Sequence, residues 1–192
     1  MATDDLQETI ASARRGDGKA LAALLETYGP RLYGYFVRAT GRHHDAEDLL
    51  GELTLRLVRQ IERYDERGRF DQWLFRIAAN LVRDRIRRRK SAPGVLSLSS
   101  AAEDDRPLEM DLPDDSAPVD GPALAAAASL ELQEALETLD ATTREMILLR
   151  HFGGMSFKEL AELYQCPMGT ALAKVHRGLR ALRKRMGDDA AE

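Results

Sequence analysis

Between Phe70 and Lys90 the chain reads FDQWLFRIAANLVRDRIRRRK, and this stretch holds the residues best suited to act on another molecule. Arg83, Arg85, Arg87, Arg88, Arg89 and Lys90 crowd cations into two helical turns. Just before them, Asn80 carries an amide that can read a base edge through a paired donor and acceptor. The first half of the stretch spaces Phe70, Trp73, Leu74, Ile77, Ala78 and Leu81 by threes and fours, which makes one apolar helical stripe. One helix thus docks on a core at its start and offers positive charge at its end, where cations also suit the helix dipole. A solvated, charged helix end has the same composition, so this run alone does not name a partner.

Other chemistries are poorly served. His43, His44, His151 and His176 have no spacing that fixes a metal. The single cysteine, Cys166, excludes an internal disulfide, and with no base nearby in sequence it suits packing or capping better than nucleophilic attack. There is no phosphate-cradling glycine loop of the Walker kind. The chain is therefore expected not to be an enzyme and to need no cofactor. The polar start MATDDLQET is no signal peptide, and no apolar run approaches the ~20 residues that span a bilayer. A cytoplasmic protein without membrane insertion is expected.

The elements that must position the cations are helical. Leu, Ala, Arg and Glu dominate, and few runs alternate with period two, so the fold is expected to be all-α. The net charge of −4 hides strong segregation: residues 69–90 carry +6, residues 144–186 carry +6, and residues 91–129 carry −7. Local potential, not mean charge, is what a phosphate backbone feels. The acidic segment is rich in Pro, Ser and Gly and lacks periodicity, as a flexible linker does. The reading is two small helical domains, 1–92 and 127–192, joined by a flexible acidic linker over 93–126, with a helix beginning near Pro122–Ser129.

In the first domain, Leu21, Leu24, Leu25 and Tyr28 form one stripe, Gly29-Pro30 is expected to break it, and Leu32, Tyr35, Phe36 and Ala39 start another. From about His44 to Tyr64, Ala46, Leu49, Leu50, Leu53, Leu57 and Ile61 line the inner face of a long helix. Its outer face begins with Asp45, Glu47, Asp48 and Glu52. The dipole favours acids there, and a basic partner could dock there; both readings stand.

The second domain carries Ser156 and Glu159 at capping-box spacing, then a break at Gln165-Cys166-Pro167, then a basic helix expected to bury Met168, Ala171, Val175, Leu179 and Leu182. Two short helices, a tight turn and a basic second helix make a helix-turn-helix, whose second helix enters the major groove. Thr170, Leu172, Ala173, Lys174 and Arg177 face outward on this reading. Lys174 and Arg177 suit phosphate and guanine, whereas Leu172 and Ala173 can touch only thymine methyls. Leu172 could equally pack inward. The free N–H groups of Met168, Gly169 and Thr170 suit a phosphate.

Taken together, KALAALLETYGPRLY, DAEDLLGEL, FDQWLFRIAANLVRDRIRRRK and LETLDATTREMILLRHFGGMSFKELAELYQCPMGT resemble the extracytoplasmic-function sigma factors of bacterial RNA polymerase. The resemblance implies a two-domain initiation factor without catalysis of its own. Its first domain would grip the clamp of core RNA polymerase through Asp48, Leu49 and Glu52. It would open the minus-ten promoter DNA with Trp73, Arg76, Asn80, Arg83, Arg87 and Arg88. Its second domain would read the minus-thirty-five element through Thr170, Leu172, Ala173, Lys174 and Arg177 and touch the polymerase flap. An anti-sigma factor is a further implied partner. The sequence departs from the family at Gly51, where Gln is usual, and at Leu172 and Ala173, where polar or basic residues are usual. The other reading is a stand-alone helix-turn-helix regulator whose first domain binds a ligand or protein. It leaves the Trp73, Asn80 and Arg88 constellation unused.

Overall fold

The computed structural model describes residues 3–65, 68–91 and 121–187. All regular elements among them are helical. They fall into two units, Met1–Asp111 and Leu112–Glu192. The acidic linker expected over 93–126 lies outside the described residues except at its end, where a helix already begins at Gly121.

The first unit contains α1 (Thr3–Arg14), α2 (Gly18–Thr40), α3 (His43–Gln60), a 3-10 turn at Ile61–Arg63, and α4 (Phe70–Ser91). The sequence reading assigned no helix to α1. Its apolar content is thin, yet Leu6, Ile10 and Ala13 recur at helical spacing, and Ile10 and Ala13 are buried. Asp17 caps α2, its carboxylate accepting from the amides of Lys19 at 2.8 Å and Ala20 at 3.5 Å. Gly41 ends α2 in the left-handed region at φ 72°, donating to the Val37 carbonyl.

The break expected at Gly29-Pro30 does not occur: α2 runs through it. An interior proline costs about 3 kcal/mol, because it removes one hydrogen bond and crowds the carbonyl four residues back. Against that, Leu24, Tyr28, Leu32, Tyr35 and Phe36 all bury on one face of the continuous helix. At about 1.5–3 kcal/mol per large side chain, burial outweighs the proline several-fold. Gly29 also eases the join, since part of the crowding before a proline falls on the preceding residue's Cβ, which glycine lacks.

Asp45 is the second difference. Expected on the outer face of α3, it is 7% exposed. Ala46, Leu49, Leu53 and Leu57 line the inner face as expected, and Phe70, Leu74, Phe75, Ile77, Ala78, Leu81 and Val82 complete the core from α4.

The second unit contains α5 (Gly121–Glu137), α6 (Ala141–Gly153), α7 (Phe157–Tyr164) and α8 (Met168–Arg185). The capping box is present: the Ser156 hydroxyl accepts from the Glu159 amide at 3.2 Å, while the Glu159 carboxylate accepts from the Ser156 amide at 2.9 Å. Gln165 ends α7 at φ 50°, and Pro167 caps α8 one position before its expected place. Helix, turn and helix thus stand where the sequence placed them. Ala171, Val175 and Leu182 are buried, but Met168 and Leu179, expected in the core, are 59% and 39% exposed. The inner face of α8 is narrowed by Gly178, where α6 comes so close that an added Cβ would stand 2.5 Å from Thr143 Cγ2 and 2.7 Å from Ile147 Cδ1. Met168 stands at the very start of α8, and Leu179 lies about 100° around the helix from Gly178, beside rather than on the buried line.

Candidate nucleic-acid and polymerase interfaces

Helical geometry sorts the residues of α4 into two faces. Trp73, Arg76, Asn80, Arg83 and Arg87 step by three, four, three and four, so they share one stripe. The buried side chains leave this stripe toward solvent: Asn80 and Arg87 are exposed, while Trp73, Arg76 and Arg83 are half-buried. Trp73 therefore sits at the margin of the core rather than inside it. Its ring centroid lies 4.8 Å from that of Tyr64 and 5.5 Å from that of Phe70. Tyr64 and Phe70 meet edge-on at 5.3 Å, so a wall of packed rings holds the Trp73 indole in place.

The start of α4 is pinned to α2. The Tyr28 hydroxyl donates to Asp71 Oδ1 at 2.7 Å, and Arg31 donates to Oδ2 at 2.9 Å. Burial raises the Tyr28 phenol well above its ordinary value, and the bond to the Asp71 carboxylate adds to the shift. The hydroxyl thus stays a donor throughout the working pH range.

Several cations of α4, one of them on the stripe itself, face carboxylates of the protein. Arg85 donates to Asp45 at 3.0 Å and to Asp48 at 3.3 Å. Arg89 lies 3.2 Å from the second Asp45 oxygen, paired by charge although not aligned as a hydrogen bond. Arg87 pairs with Asp84, which also stands 3.9 Å from Arg56, and Arg56 donates to Glu52 at 2.9 Å. Arg88 is exposed.

Of the expected polymerase-facing residues, Asp48 is exposed and Glu52 half-buried, whereas Leu49 is wholly buried. Leu49 faces the core because it lies one residue, about 100° of helix, beyond Asp48. Sequence reasoning missed Leu55 and Val58, which are 59% and 51% exposed. They continue the line of Asp48 and Gly51 along the outer face of α3, and their spacing could have shown it. At Gly51 nothing lies within 4 Å of where a Cβ would stand, so this outer face has a bare notch between acidic and apolar side chains.

In α8, Thr170, Ala173, Lys174 and Arg177 share a stripe and all but the half-buried Lys174 are exposed. Lys174 lies 3.8 Å from Asp140, the cap of α6. A cleft of about 270 Å³ lies beside them, bounded by Leu139, Asp140, Lys174, Arg177 and Gly178 among others. Leu172 does not join this stripe. Two residues from Thr170 it lies some 200° around the helix, on a flank with Met168 and Leu179, and is 39% exposed. The Thr170 amide, expected to be free for a phosphate, donates to the Pro167 carbonyl at 2.9 Å. Among the described residues, no three His, Cys, Asp or Glu side chains gather to hold a metal ion, and no helix is long and apolar enough to cross a membrane.

A helix-turn-helix with an outward cationic stripe, and a separate helical unit with a ring-and-amide stripe, define a class of nucleic-acid-binding transcription protein. Comparison with known proteins gives the family. Residues 24–92 match Sigma-70 region 2 and residues 129–182 match Sigma-70, region 4. The chain is 32% identical over 175 residues to the RNA polymerase sigma factor CarQ of Myxococcus xanthus, covering 91% of this chain and 94% of that one. It is 29% identical over 183 residues to the ECF RNA polymerase sigma factor SigW of Bacillus subtilis, covering 95% and 97%. Similar folds occur in the sigma factor RpoE bound to the anti-sigma factor NepR from Bartonella quintana (TM-score 0.65, 22% identity, 89% of this chain and 99% of that one). A second is CnrH bound to the cytosolic domain of CnrY (TM-score 0.63, 22% identity, 95% and 97%). The chain belongs to the extracytoplasmic-function sigma factors of RNA polymerase.

Proposed function

We propose that this sigma factor directs promoter-specific initiation through a division of labour between its two units. The outer face of α3 docks on the clamp of core RNA polymerase. Asp48 and Glu52 supply charge for basic partner groups, and Leu55 and Val58 supply apolar area. The stripe on α4 takes the minus-ten element. Trp73 offers a ring to an unstacked base, Asn80 reads that base's edge, and Arg76, Arg83, Arg87 and Arg88 hold the neighbouring backbone. Opening costs a few kcal/mol per unstacked step, which stacking and phosphate contacts on the freed strand offset.

In the second unit, Thr170, Ala173, Lys174 and Arg177 read the minus-thirty-five element. Arg180, Arg183, Lys184 and Arg185, all exposed, supply general phosphate attraction. Leu172, on its flank with Met168 and Leu179, belongs to the surface that meets the polymerase flap. An anti-sigma factor would compete for the same faces, and the protein acts in the cytoplasm as a binding factor, not as an enzyme. The observation that carries this reading is the outward stripe of Trp73, Arg76, Asn80, Arg83 and Arg87, opposite the side by which α4 is buried. The test reconstitutes the full chain with core polymerase, transcribes fragmented genomic DNA and maps start sites. Co-purification and discrete new start sites are expected. Failure to bind core would leave the stand-alone regulator as the better reading.

A further inference from the structure

Asp71 and Trp73 stand two residues apart on α4, which is about 200° of helix, so Asp71 turns toward α2 while Trp73 lies on the outward stripe. Each Asp71 oxygen has its own donor on α2: the Tyr28 hydroxyl at 2.7 Å and Arg31 at 2.9 Å. The Arg31 guanidinium in turn lies over two rings, 5.8 Å from the centroid of Tyr28 and 5.5 Å from that of Phe75. Tyr28 also meets Phe70 edge-on, with centroids 5.3 Å apart, and Phe70 is one of the two rings that hold the Trp73 indole. Only 3% of Tyr28 is exposed, so it has no surface to offer DNA. A phenylalanine would fill the same space. What tyrosine adds is one directed bond to the first turn of α4.

We infer that Tyr28 is a positioning residue for minus-ten DNA: its hydroxyl fixes the rotation of α4 at Asp71, and its ring fixes the Phe70 face against which Trp73 packs. The inference rests on the reading of Trp73 as the platform for an unstacked base. Burial by itself has no direction, whereas a hydrogen bond weakens steeply when misaligned. A side chain about 6 Å from the helix axis moves about 1 Å for every 10° of rotation. A binding constellation must be held to about 0.5 Å. Two bonds to one carboxylate, from residues three apart on α2, remove that freedom at the turn that carries Trp73. The ring is then ordered during folding, and a freed base stacks on it without a further ordering cost. Tyr28 thus serves DNA opening from inside the core, through Asp71 and Phe70.

The test is a double-mutant cycle in promoter opening. The full chain is assembled with core polymerase on a promoter taken from the start-site map, and opening is read as permanganate reactivity of unpaired thymines in the minus-ten element. Trp73→Leu is expected to lower the opening equilibrium about 10- to 100-fold, the contribution of one stacked base. Tyr28→Phe keeps the ring and is expected to lower it about tenfold. Added to Trp73→Leu, Tyr28→Phe is expected to change opening by no more than about twofold, because no platform remains to be positioned. Co-purification with core checks that each variant is folded. A merely structural role for Tyr28 would carry the same loss into both backgrounds, and that result overturns the inference. So does full opening by Tyr28→Phe beside a defective Trp73→Leu, which leaves the reading of Trp73 intact. Full opening by Trp73→Leu overturns that reading and the inference with it. If Tyr28→Phe fails to fold, Arg31→Gln on an exposed side chain releases the other Asp71 oxygen, and its loss should likewise vanish in the Trp73→Leu background.

Discussion

Two glycine-to-alanine substitutions in helix interiors should change stability in opposite directions. Gly51 lies in α3 and Gly178 in α8, and helix propensity favours alanine at each by about 1 kcal/mol. At Gly51 the new methyl meets nothing within 4 Å, so the full gain is expected. At Gly178 the methyl would stand 2.5 Å from Thr143 Cγ2 and 2.7 Å from Ile147 Cδ1. Overpacking of this kind costs about 1–3 kcal/mol, and the β-branched Thr143 has little freedom to yield. The net at Gly178 is a loss of up to about 2 kcal/mol, which for units of this size moves a melting midpoint by several degrees per kcal/mol. The single tryptophan, Trp73, lies in the first unit, so its fluorescence follows that unit while far-UV circular dichroism follows both. Gly51→Ala should raise the fluorescence transition in urea. Gly178→Ala should leave that transition in place and lower the dichroism midpoint of the second unit. If Gly178→Ala stabilised its unit as Gly51→Ala does, the close seating of α8 on α6 would be wrong.

Ser156→Ala removes the hydroxyl that accepts from the Glu159 amide and donates to its carboxylate, and should cost about 1 kcal/mol in urea unfolding of the second unit. Hydrogen bonding from Thr143 at the cap of α6 holds the Asp140 carboxyl below its usual 3.8. The stabilisation is thus complete above pH 3.8 and lost as pH falls through the lower folded-state value. Asp140→Asn, which still caps, should flatten that acid limb in pH-dependent melts. In reconstituted transcription, Asn80→Ala should relax selection at one base of the minus-ten element by about 1–3 kcal/mol, or on the order of 10- to 100-fold. Lys174→Ala should weaken dependence on the minus-thirty-five element instead; footprinting on matched promoters separates the two. Loss of the same element in both variants would contradict the assignment of α4 and α8 to separate sites.

Short-range chemistry in the sequence determined a great deal. The capping box at Ser156, the Gln165 to Pro167 turn, and apolar spacing along α3, α4 and α8 act over a few residues, so they placed most helices and both basic poles. Only the tertiary structure decided which charges are available. Asp45 and Arg85 are forty positions apart in sequence, and no local pattern says that they meet. The same holds for the persistence of α2 through Pro30, which depends on the face it buries, and for the close seating of α6 on α8 at Gly178. Periodicity tells which residues share a side of a helix. What stands opposite that side is set by packing between distant segments, and here it brings Arg85 and Arg89 of α4 to the buried Asp45 of α3.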